Sequence, residues 1–194
     1  MKHTLNLTKE KAHKILNKYI KTKFILDHSL ESAVIMHALA KHLGENEELW
    51  YTIGLLHDLD MDLIGSNYDI HGIKTKEILE NELIIDIGII NPILAHTECL
   101  ESHKDKYKRI DIVDFALGAS EQITGIITAY ARMRPEKFEG IKLKSIKKKI
   151  KDKAFARNVN REFIYDIINT GVELDEFLEI AINAIYEIRE NINI

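Results

Sequence analysis

Residues 47–60 read EELWYTIGLLHDLD. Trp50, Ile53, Leu56 and His57 recur at helical spacing, so they share one face of an α-helix running from Glu47 to His57. That face is apolar until its last residue. There the helix stops on a His57–Asp58 pair, two groups able to ligate a metal or move a proton.

The same period continues in both directions. Upstream, Thr8 is placed to cap a helix with the stripe Ala12, Ile15, Leu16, Tyr19 and Ile20. A second helix is expected to start within Asp27 to Ser29, bury Leu30, Ala33, Val34 and Ala40, and stop at Gly44. Downstream, residues 59–72 (LDMDLIGSNYDIHG) read as irregular, and a helix resumes through KTKEILENEL (74–83). Another runs from about Asp86 to His96 and tolerates Pro92 near its first turns. After a charged loop, the longest apolar-periodic segment spans Ile110 to Arg134 and is stopped by Pro135. KSIKKKIKDKAFA (144–156), NREFIYDIINT (160–170) and DEFLEIAINAIYEIRE (175–190) supply three more helices, with Gly171 between the last two. Two prolines, nine glycines and few alternating patches leave an all-α fold as the expectation. There is no internal repeat, linker or low-complexity tract.

A chain of 194 residues, 45% hydrophobic, can bury one good core and is too short for two typical domains, so one domain over 1–194 is expected. No run of eighteen apolar residues occurs, and MKHTLNLTKEKAHK lacks the apolar stretch and cleavage site of a signal peptide. With Cys99 the only cysteine, no internal disulfide can form. A soluble protein of the reducing cytoplasm is the expectation, with Cys99 a small semi-buried residue. The net charge of −4 hides an asymmetry: residues 142–161 carry nine Lys or Arg against one acid, Asp152. This block suits phosphate groups, an acidic surface of another subunit, or simply a solvated helix face, while the acidic remainder argues against wrapping long nucleic acid.

Four histidines fall at or beside expected helix ends: His28 at a start, His57 with Asp58 at a stop, His71 beside Gly72, and His96 at a stop. A site assembled from helix termini would unite them, and imidazole plus carboxylate are the usual ligands of Mn, Fe, Co, Ni or Zn. Glu121 is the best distal acid, because it lies inside a long, largely apolar helix where an unpaired carboxylate is costly. Asp114 is a weaker substitute. His3, His13, His37, His42 and His103 are expected to be surface or structurally satisfied residues.

The order of DHSLESA (27–33), GLLHDLD (54–60) and ASEQITG (119–125) resembles the HD superfamily of metal-dependent phosphohydrolases, helical domains marked by a histidine, a His–Asp pair and a distal acid. Members with two metals add two intervening histidines, matched here in DIHGIKTKEIL (69–79) and PILAHTE (92–98). The resemblance therefore implies a dinuclear site. His28, His57, Asp58 and Glu121 would hold one ion; His71 and His96 would hold the second, with Asp58 bridging. The metal-site core would span about 27–134, with a basic helical segment, 141–194, packed on it. Residues 134–162 are similar to the tail of a group of single-domain prokaryotic HD proteins. The HG and HT pairs resemble small HD hydrolases that cleave dinucleoside polyphosphates, a likeness that does not reach the tail. The distal acid is ordinarily aspartate, and Glu121 reaches one methylene further, which bears on the geometry, metal preference and occupancy of the first site.

The resemblance implies hydrolysis of a phosphate ester, a nucleotide foremost, by metal-activated water. Asp58 would serve that chemistry directly. Asp60 and Asp62 are placed to orient the water or protonate the leaving oxygen, unless they stabilise the loop. Arg132, Arg134, Lys147, Lys148, Lys151 and Arg161 are the candidate phosphate contacts, although the two arginines also suit the C-terminal end of a helix dipole. Two rivals remain: a di-iron oxygenase with the same ligands, and a non-catalytic metal-stabilised binding module. The apolar faces of the last helices could complete the domain or pair two copies as a homodimer.

Overall fold

A computed structural model describes residues 7–194, and all its regular elements are helical. His3 lies outside the described residues. The α-helices are α1 (Lys9–Tyr19), α2 (Lys23–Leu43), α3 (Glu47–Leu56), α4 (Met61–Ile64), α5 (Ile73–Asn81), α6 (Ile87–Ala95), α7 (Ile112–Arg132), α8 (Leu143–Lys151), α9 (Arg161–Tyr165) and α10 (Leu174–Ile188). Short 3₁₀ turns cover Tyr68–Ile70, His96–Cys99 and Asp166–Thr170. None of the described helices is long and apolar enough to cross a membrane.

Capping explains several of these limits. Thr8 Oγ1 accepts from the backbone N–H of Lys11, and Asn46 Oδ1 from that of Leu49, so α1 and α3 start on side-chain oxygens. Asp114 accepts from the N–H groups of Ile110 and Asp111, each at 2.9 Å. Its carboxylate is thereby spent on the entry to α7 and is no ligand substitute. Gly44 ends α2 in the left-handed conformation, with φ 74°.

α2 and α3 pack together along their length, and α7 lies across α2. Gly54 permits the closest approach: a Cβ there would stand 2.8 Å from the Ser32 carbonyl oxygen and 2.9 Å from the Ala33 Cα. α10 returns from the C-terminal end to cover α2 and α8, burying Phe177, Leu178, Ala181 and Ile185. The core therefore draws on residues from Leu7 to Ile194.

Four boundaries differ from expectation. α2 begins at Lys23, because Asp62 Oδ2 accepts from the N–H groups of Lys21 (2.6 Å) and Thr22 (2.9 Å) and fixes the turn into it. His28 consequently sits in the second turn of α2 and not at its start. Residues 59–72 contain α4 and a 3₁₀ turn where no period was legible. The helix expected over 144–156 stops at Lys151. Beyond it, Arg161 donates to the carbonyls of Ile150, Asp152, Phe155, Ala156 and Val159, closing the following residues into a clasped loop. The helix expected over 160–170 becomes α9 followed by a 3₁₀ turn.

Candidate metal centre

Asp58 stands at the centre of four imidazoles delivered by four segments. His28 comes from α2, His57 from the end of α3, His71 from the turn before α5, and His96 from the end of α6. Asp58 Oδ1 lies 3.5 Å from His57 Nε2, 3.4 Å from His71 Nε2 and 3.5 Å from His96 Nε2; Oδ2 lies 3.6 Å from His28 Nε2. The rings also pair, with Nε2 to Nε2 distances of 3.2 Å for His28 and His57 and 3.1 Å for His71 and His96. Two triads with metal-ligand spacing result, His28–His57–Asp58 and Asp58–His71–His96, sharing the carboxylate.

The outer nitrogens settle where the ring protons sit. Carbonyls can only accept, so His57 donates from Nδ1 to the Gly54 carbonyl (2.8 Å) and His96 from Nδ1 to that of Ile93. Thr124 gives its hydroxyl proton to the Glu121 carbonyl (2.7 Å) and accepts from His28 Nδ1 (2.9 Å). His71 Nδ1 donates to Asp60 Oδ1 at 2.8 Å. In the neutral form of each ring the Nε2 lone pair thus faces inward. Lone pairs this close need a cation between them, a proton or a metal ion, and this donor set suits a borderline divalent ion.

Burial and mutual charge shape the site. Burial, helped by His28 and His96 and opposed by Asp58, pushes His57 down to about 3. Burial would raise Asp58, but His57, His96, His71 and His28 outweigh it and hold the carboxyl well below its usual range. Burial likewise pulls against the charge on His71, yet the hydrogen bond to Asp60 and the charges of Asp58, Asp60 and Glu121 bring it to about 9. Glu121 is raised by burial and by Asp58, against the pull of His96 and His28. Its carboxylate accepts from Gln122 Nε2 at 2.9 Å and belongs to neither triad. It stands beside the cluster.

The other expected site residues are placed differently. Asp60 is fully buried, and its second oxygen accepts from the N–H groups of Gly72 (2.7 Å) and Thr75 (3.2 Å). With both oxygens engaged, it orients His71 from behind. Asp62 is turned away to the entry of α2. Arg132 lies 3.4 Å from Asp27 and lines a pocket of about 560 Å³ that also reaches His28. Arg134 instead donates to the carbonyls of Lys137 and Glu139 and holds a turn. Lys148 and Lys151 line a separate groove with Lys147, whose ammonium pairs with Asp175 at 2.6 Å. Arg161 is spent on its clasped loop. Of the expected phosphate contacts, Arg132 alone lines the pocket beside His28.

Glu31 and Arg157 line the pocket beside His28 and were not anticipated. Glu31 had a legible signal, since three residues after His28 on one helix is the same face. Arg157 had none, because a clasped loop leaves no period. Of the remaining described histidines, His13 meets the Tyr51 hydroxyl, His37 and His42 pair with Glu47 and Glu176, and His103 bridges Thr97 and the Asp69 carbonyl. None of these four joins either triad.

The family model for the HD domain matches residues 25–129, more than half of the chain, and that stretch carries every member of both triads. No solved structure matches the chain.

Proposed function

Because the chain belongs to the HD domain family, whose superfamily comprises metal-dependent phosphohydrolases, we propose that it holds two divalent ions and hydrolyses phosphate esters, with nucleotides as the substrate class. His28, His57 and Asp58 would hold one ion, with Glu121 completing its shell from α7; Asp58, His71 and His96 would hold the other. Ions there would supply Lewis acidity, bringing the deprotonation of water toward neutral pH and offsetting the charge of a phosphoryl group. Mn, Fe, Co, Ni and Zn all suit the ligands.

The protein's own groups do the rest. Asp58 contributes negative charge to both positions. The Nδ1 hydrogen bonds fix each ring with Nε2 inward, and His71, raised to about 9, would release its Nε2 proton on loading. Arg132 and Arg157, which line the pocket beside His28, are cations suited to phosphate oxygens. The observation that carries the reading is the sharing of Asp58 by two histidine pairs whose outer nitrogens are all occupied.

Anaerobic hydrolysis of bis(p-nitrophenyl) phosphate and a nucleotide panel by Mn-loaded protein tests it. Phosphate-ester cleavage that falls to background in Asp58→Asn is expected. Oxygen consumption by iron-loaded protein with no ester cleavage under any metal would replace the hydrolase with an oxygenase.

A further inference from the structure

The pocket beside His28 is larger than phosphate requires. Its volume of about 560 Å³ lies within the range of small-molecule sites, roughly 300–1,000 Å³. It opens between α2, α7 and the loop clasped by Arg161, so it adjoins the metal centre through His28 while drawing its other walls from outside it.

Two buried polar atoms in this wall lack partners. Glu31 is only 3% exposed; its Oε1 and the buried Thr128 hydroxyl lie close enough to influence each other but form no hydrogen bond of normal geometry, with each other or with any other group. Buried polar atoms are normally paired, so two orphans lining one pocket mark where the polar edge of a ligand fits. Burial, reinforced by Asp27 and opposed by Thr128, Arg132 and Lys23, pushes the Glu31 carboxyl up to about 8. At neutral pH it therefore presents a donor and an acceptor side by side. That is the complement of a nucleobase edge. At the rim, Phe24 is 64% exposed and offers a ring face for stacking, while Arg132 and Arg157 supply positive charge.

We infer that this pocket is the base subsite of a nucleotide substrate, in which Glu31 and Thr128 hydrogen-bond the base edge and Phe24 stacks on its face. The inference rests on the hydrolase reading above and names where that substrate's organic part lies. It also assigns Glu31 a binding role distinct from metal ligation.

Calorimetric titration with the four common ribonucleosides, which carry no phosphate, tests the subsite without any turnover. Cleavage of p-nitrophenyl phosphate by the unaltered protein reports separately on the hydrolase reading. At least one nucleoside should bind the unaltered protein. Glu31→Gln, which keeps a neutral donor and acceptor, should bind it within about threefold, whereas Glu31→Leu and the isosteric Thr128→Val should each weaken it about tenfold or more. Absence of nucleoside binding, or equal affinity in Thr128→Val and the unaltered protein, would overturn the inference even if phosphate esters are cleaved.

Discussion

Asp58 touches four imidazoles, and each imidazole is held from behind by a different group: Thr124, Gly54, Asp60 or Ile93. Of these, only Asp60 is a side chain whose charge matters to its ring. Its carboxylate accepts from His71 while the backbone N–H groups of Gly72 and Thr75 pin the other oxygen. Asn at position 60 would lose one acceptor and the negative charge that favours a ring donating from Nδ1. Asp60→Asn should therefore weaken the ion held by His71 and His96 by about 10–100-fold, measured by competition with a chromophoric chelator, with the ion at His28 and His57 held as before. Equal weakening of both ions would show that Asp60 acts on the fold as a whole.

At the scale of elements, the metal centre depends on how closely α2 and α3 approach. Gly54 lies opposite the Ser32 and Ala33 backbone, and its own carbonyl fixes His57. A methyl group there meets backbone atoms that cannot step aside. Gly54→Ala should cost roughly 1–3 kcal/mol of stability and separate His28 from His57, read as a lower melting temperature together with loss of one bound ion; a normal melting temperature with full metal content would contradict this account. The periodic helices α1, α3, α7 and α10 were legible in the sequence because their apolar faces meet the core at regular spacing. The six candidate ligands were chosen for their order along the chain. Five of them converge in the two triads, and Glu121 lies beside them. Less legible was whatever depends on partners distant in sequence. Asp62 moves the start of α2 from across the fold, Asp60 orients His71 from behind, and Arg161 converts an expected helix end into a loop. Charge alone likewise could not show that Lys148 and Lys151 face a groove separate from the pocket beside His28.

For the whole molecule, α10 closes over α2 and α8, so the residues that support the pocket and those that support the metal centre share one hydrophobic core. That core carries an acid, Glu31, whose carboxyl rises from 4.5 to about 8 on folding. The folded chain then holds this proton more tightly than the unfolded chain. The resulting stability is complete below pH 4.5 and is lost as pH rises through 8. Glu31→Gln removes the titration, so its stability relative to the unaltered protein should improve on the order of 3 kcal/mol between pH 5 and pH 8.5, measured by urea unfolding at both values. A difference independent of pH would mean that Glu31 does not hold its proton in the folded protein.

The central claim is that one carboxylate and four inward-facing histidines form a two-ion centre. Metal content per chain, measured by mass spectrometry on protein purified without chelator and equilibrated with Mn, tests it most directly. The account predicts about two ions per chain, falling to about one in His71→Ala and in His28→Ala, and to none in Asp58→Ala. No bound metal in the unaltered protein, or full occupancy retained in Asp58→Ala, would contradict it.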